Sequence, residues 1–142
     1  MAAAKTGVWD YPGRHVHHIF HPGAAAATAT SSEVVFEAMA PCRLKRLAIV
    51  PSAGMTGDNT NYITLDFINV GTAGAGTTSV VTPIAFTTGT DLTALDAKEF
   101  TLSTTDATIK LAAGEVLTLK RTKAASGLLM PSCLVIVEFE PA

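Results

Sequence analysis

The residues best suited by type and spacing to do chemistry are four histidines gathered in one short stretch, His-Val-His-His-Ile-Phe-His, at His15, His17, His18 and His21. Side chains of an extended chain alternate in direction, so His15, His17 and His21 share a face, and neutral imidazoles at that spacing are able to ligate a metal. The remainder of a metal site is missing. No cysteine lies nearby, and the first glutamate downstream of the His-x-His spacing is the distant Glu33. The cluster therefore reads as packing or interface material, with no metal and no cofactor assigned. Asp58, Asn59 and Asn61 approach the pattern of a calcium loop, but the ligands that should follow are absent and a solvated turn is expected. Most of the twelve carboxylates fall in turns or on outward faces, and there is no Gly-x-Ser-x-Gly elbow for a nucleophile. No catalytic residue is assigned, and a non-enzyme is expected.

Bulk properties narrow the classes further. With 142 residues the chain makes one domain that buries roughly two-thirds of its unfolded surface. Charged residues make up 15% against 48% hydrophobic, which favours a protein that hides surface against partners. Net charge is −2, and the basic residues cluster only at Arg43, Lys45, Arg46 and at Lys120, Arg121, Lys123. That excess is too small to neutralise several phosphates, so no direct nucleic-acid partner is expected. No apolar run reaches membrane-spanning length. Lys5, Trp9 and Asp10 interrupt any signal-peptide core, so neither export by that route nor membrane insertion is expected.

These residues sit in two kinds of chain. Residues 1–32 combine isolated aromatics, Pro12, Pro22, the histidines and a small-residue run, Ala-Ala-Ala-Ala-Thr-Ala-Thr. Such a segment builds no core of its own. It reads as an extended arm, ordered by lying on its own domain or on a neighbouring subunit, with Trp9, Tyr11, His15, His17, His18, Phe20 and His21 as partner-binding candidates.

Residues 33–142 read as about eight short strands. In the run from Cys42, inward Leu44 gives way to Leu47 and Ile49, a phase shift at Lys45 and Arg46 that predicts a β-bulge. Ile63, Leu65 and Phe67 define one face of the next strand. Pro83 interrupts a strand and marks an edge or kink. Leu117 and Leu119 alternate with Thr118 and Lys120, and Val135, Val137 and Phe139 alternate with Glu138 and Glu140. In the first strand of the domain Val35 is expected on one face and Val34 and Phe36 on the other. One short helix is expected in Asp-Leu-Thr-Ala-Leu-Asp-Ala-Lys-Glu, with Asp91 as its N-cap. Cys42 and Cys133 each begin a strand; in antiparallel strands they lie on the order of 20 Å or more apart, so both remain free thiols. No internal repeat is visible. The fold class is all-β: an antiparallel two-sheet sandwich, jelly-roll-like, with the extended N-terminal arm and one short helix.

The series from Leu44 to Gly74, followed by the Gly114–Thr122 strand and the closing run from Gly127 to Pro141, resembles the small β-sandwich proteins that decorate or stabilise the heads of tailed bacteriophages. The likeness lies in strand cadence and turn placement over residues 33–142. It implies a virion protein on the outer surface of an icosahedral capsid, made in the host cytoplasm. Its implied partners are the major capsid protein and itself as a homotrimer. A glycan-binding sandwich module of a phage fibre or surface protein is the alternative, although only one Trp and two Tyr are present to build an aromatic platform. An enzyme of cupin type ranks third.

Overall fold

The computed structural model describes residues 13–142. Its strands are β1 (His15–His21), β2 (Thr30–Glu37), β3 (Cys42–Pro51), β4 (Ile63–Gly71), β5 (Thr78–Ser79), β6 (Ile84–Ala85), β7 (Lys98–Phe100), β8 (Lys110–Leu111), β9 (Val116–Lys123) and β10 (Cys133–Pro141). The one short helix among the described residues, α1, is Asp106–Ile109. Two antiparallel sheets face one another. The first runs β1-β10-β3-β7, with β8 also on β3; the second runs β2-β9-β4-β5, with β6 also on β4. The pairing is nested, because the first strand joins the last and β2 joins β9.

Alternation of side chains explains the layers. Leu44, Leu47 and Ile49 of β3 and Val135, Val137 and Phe139 of β10 point inward from one sheet, against Ile63, Leu65 and Phe67 of β4 and Leu117 and Leu119 of β9 from the other. Each such aliphatic or aromatic side chain contributes about 2 to 3 kcal/mol relative to exposure. Phe67 meets Phe100 edge-on across the core at 4.9 Å between ring centres. The bulge foreseen in β3 is present: Arg46 faces Glu138 and Leu44 faces Phe139, which leaves Lys45 as the extra residue. A second bulge was not foreseen. In β2 the register steps from Val34 to Phe36, so Val35 and Phe36 are both buried and only Val34 is exposed.

Pro83 falls between β5 and β6, two short pieces that share one edge of β4. Cys42 pairs with Pro141 and Cys133 with Pro51, at opposite ends of the β3–β10 ladder. Both thiols are free and buried, and burial pushes each up to about 11.

Three expectations need correction. The short helix lies at Asp106–Ile109 and not at residues 91–99. There Met55 and Leu92 exchange backbone hydrogen bonds of 3.0 and 2.8 Å, which uses groups a helix would need internally, and Asp91 accepts from the Gly57 N–H at 2.7 Å instead of capping. Among the described residues the strands number ten, because the edge pieces of two and three residues carry too little pattern to be read singly. Finally, the boundary expected at Glu33 falls inside a strand; of the two supports open to the arm, its described part lies on this chain's own sandwich. β1 pairs with β10 along all seven of its residues, and β2 starts at Thr30, ahead of the expected boundary at Glu33. Gly23 permits the close crossing between them: its φ is +79°, and a Cβ there would lie 2.3 Å from the Met130 carbonyl oxygen. Cutting the chain at Glu33 would therefore remove an entire strand and part of a second.

Arg121 ties this strap down. It occupies the inward phase of β9 after Leu117 and Leu119 and is 1% exposed. Its guanidinium donates to the carbonyls of Thr28, Ala26 (3.3 Å) and Leu128 (2.7 Å), while Nε–H has no partner among the described residues. A buried cation is thus held by backbone oxygens of the strap and of the 124–130 loop. Arg121→Met preserves much of the volume but leaves those carbonyls without their donor, so a loss of about 2 kcal/mol or more is expected in denaturant unfolding. Hydrogen exchange should quicken first in residues 24–29 and 124–130; unchanged stability and exchange would refute the clamp.

Candidate interaction surface

Because β1 is a strand, its two sets of side chains have separate tasks. His15, His17, Ile19 and His21 point toward the gap between the sheets, and Val16, His18 and Phe20 point outward. The His15 ring lies 5.7 Å from that of Phe139 and the His17 ring 5.9 Å from that of Phe36, while the Phe36 and Phe139 rings meet at a tilt with centres 4.8 Å apart. These imidazoles close the open side of the core. A hollow of about 380 Å³ remains there, bordered by His15, His17, Phe36, Phe139 and the exposed Met39. His21 is 3% exposed, and its Nδ1 accepts the Gly23 N–H at 3.0 Å, which puts its proton on Nε2. Burial lowers the His21 pKa below the usual 6.5, against an opposing pull from Glu33. Among the described residues no three His, Cys, Asp or Glu side chains converge closely enough to hold a metal ion.

The Asp58 turn is likewise structural. Asn61 and Thr60 N–H groups donate to its carboxylate and hold it below the usual range, while the Asn59 and Asn61 side chains accept from Thr88 and Ser126. The basic residues of β3 are paired: Arg43 with Asp106 at 3.0 Å, Lys45 with Glu140 at 3.5 Å, and Arg46 with Glu99 and with Glu138 at 3.1 Å. That strand carries matched charge and no basic stripe.

An apolar surface emerges on the outer face of the first sheet. Phe20, Leu134 and Val50 stand in one cross-strand row. Phe20 is 68% exposed, too much for a residue serving only its own core. Beside it a hollow of about 280 Å³ is bordered by Phe20, Val50, Leu134 and Leu95. Leu95 is 80% exposed and has a φ of +63°, in the left-handed region that costs a residue with a Cβ about 1 kcal/mol. Its N–H donates to the Pro51 carbonyl at 2.8 Å, which locks the turn. An apolar side chain held outward in a strained backbone is a feature of binding sites.

Of the partner-binding candidates, Phe20 and His18 are presented outward, and His15, His17 and His21 brace β1 against its own domain. Trp9 and Tyr11 lie outside the described residues. Leu95, Leu134 and Val50 were missed. The alternation of β10 was visible, but nothing local marked Leu95 as exposed, because its expected helix would have turned it inward. The outer face of the second sheet has a hollow of about 470 Å³ bordered by Val34, Ile68, Val70, Thr77, Thr118 and Lys120, with no aromatic side chain.

No family model and no curated protein matches the chain. Among solved structures it is similar to one of infectious bursal disease virus, Gx strain, at 12% identity and a TM-score of 0.46, covering 99% of this chain and 36% of that one. It is also similar to the VP2 subviral particle of that virus, at 13% identity and a TM-score of 0.36, covering 100% of this chain and 42% of the other. The chain thus spans well under half the length of these matches.

Two measurements test the roles of Leu95 and His21. Leu95→Asn, which tolerates the left-handed backbone, should stabilise the isolated protein by about 0.5 to 1 kcal/mol in chemical denaturation; a destabilised variant would mean that Leu95 supports the fold. For His21 the folded pKa is depressed, so its stabilising effect is complete above the usual 6.5 and is lost as pH falls below that value toward the folded one. Melting temperature should fall on acidification from about pH 7.5 to about pH 5, and His21→Asn, which retains an acceptor for Gly23, should lessen the fall. Parallel curves for the two proteins would refute this role.

Proposed function

We propose that this protein is a non-enzymatic structural component of a virion, bound to the outer surface of an icosahedral phage capsid and stabilising it by clamping neighbouring capsid subunits. The partner is the major capsid protein, with the protein itself a homotrimer. The observation that carries the reading is the exposed row of Phe20, Leu134 and Val50, with Leu95 held over it in a strained turn. An apolar surface maintained at such a cost serves a lasting contact.

The strand cadence described for the sequence supports the same reading. So does the division of labour in β1, whose inward histidines fix the strand while its outward face stays free for a neighbour. On this reading the strap of residues 1–32 makes its contacts with neighbours through residues 1–12, where Trp9 and Tyr11 lie, and through His18 and Phe20. The glycan-binding alternative would place its ligand on the loops or on the outer face of the second sheet, where the 470 Å³ hollow has no aromatic platform.

The test mixes undecorated heads with the full chain, with a chain lacking residues 1–12, and with Phe20→Ala. Phe20→Ala should weaken attachment by about 2 kcal/mol, some thirty-fold, and the truncation should lower both occupancy and the heat resistance of the particle. Phe20→Ala retains every described strand and should melt near the parent temperature. Full occupancy and unchanged particle stability in both would refute the clamp.

A further inference from the structure

The edges of the two sheets are unequally protected. β5, β6 and β8 have two residues each and β7 has three, too short to template a partner strand. β2 is longer, but its bulge at Val35 and the exposed Glu33 and Glu37 interrupt it. These are the devices by which edges avoid pairing. β1 has none of them. It is seven residues long, pairs with β10 in unbroken register, contains no proline, lysine or carboxylate, and ends its sheet among the described residues.

We infer that β1 is a self-association edge, pairing antiparallel with β1 of a second copy about a two-fold axis at His18; a two-fold contact cannot close the proposed homotrimer, so it joins copies that belong to different trimers. The sequence is self-complementary in that register. Val16 falls opposite the second copy's Phe20, His18 opposite its counterpart, and His17 opposite Ile19. Two apolar cross-strand pairs thus flank a central imidazole pair on the outer face, in place of charge against charge. Registers centred on His17 or Ile19 lose this match, because they set Phe20 against Arg14 or His18. The joined sheet runs β7-β3-β10-β1-β1-β10-β3-β7, with both Phe20 rows on one face. Two copies would then engage a flat partner bivalently, a consequence that rests on the virion reading, whereas the pairing itself does not.

A contact made largely by one strand is small beside the roughly 1,600 Å² of a standard interface, so the pair exchanges in solution and a trapping experiment suits it. Cysteines facing each other across an antiparallel pair have Cβ atoms close enough for a disulfide; cysteines four positions apart in register do not. Under mild oxidation of the folded full-length chain, His18→Cys should give a covalent dimer at twice the 14.7 kDa chain mass, at least tenfold faster than Val16→Cys. An equimolar mixture of Val16→Cys and Phe20→Cys should cross-link where neither does alone. The parent chain, whose thiols at Cys42 and Cys133 are buried, should remain uncross-linked. A monomeric His18→Cys, or equal rates for His18→Cys and Val16→Cys, would overturn the two-fold pairing, including the case in which residues 1–12 cover the edge. Head occupancy is a separate measurement, so either reading can fail alone.

Discussion

The place of β10 between β1 and β3 is the constraint from which the rest of the structure follows. Its inward residues Val135, Val137 and Phe139 form the middle of one core layer, and its two edges are saturated by the first strand of the described chain and by β3. The core is therefore complete only when β1 and β10, the first and last described strands, have met. Such non-local pairing lays a loop-closure cost on folding before any contact offsets it. Once formed, it converts a histidine-rich stretch with no core of its own into an edge strand.

Arg121 solves a second problem created by that arrangement. The strap between β1 and β2 and the loop between β9 and β10 pass close together, and their carbonyls at Ala26, Thr28 and Leu128 need donors away from water. One guanidinium supplies them from inside the sandwich, at the cost of burying a cation without a carboxylate. The geometry suits arginine, whose planar fork offers several donors at once, and would not suit lysine.

The same strand, β1, separates structure from interaction by the period of two. Its inward histidines lie against Phe36 and Phe139 or bind the Gly23 amide, while Val16, His18 and Phe20 face out. Phe20 joins Leu134, Val50 and Leu95 in a surface that does nothing for the core it borders. Matched charge elsewhere on the sheet, with Arg46 between Glu99 and Glu138, leaves that apolar row as the distinctive feature of the face.

Local sequence pattern determined much of this protein: the inward sets of β3, β4, β9 and β10, the bulge at Lys45, the edge position of the Pro83 segment and the separation of Cys42 from Cys133. The inward sets and the bulge depend only on neighbours within one strand and on the two-residue period; the Pro83 edge follows from the N–H that proline lacks, and the cysteine separation from the antiparallel direction of β3 and β10. Tertiary structure decided the rest. Arg121 continues the inward phase of Leu117 and Leu119, yet only carbonyls as far away as Thr28, 93 residues earlier, make a buried guanidinium tolerable. Asp91 and Leu95 carry a local helix signal that lost to backbone pairing of Leu92 with Met55. The histidines could be placed on a face from sequence, but which strand they would pair with, and therefore which of them would face outward, depended on contacts made at the far end of the chain.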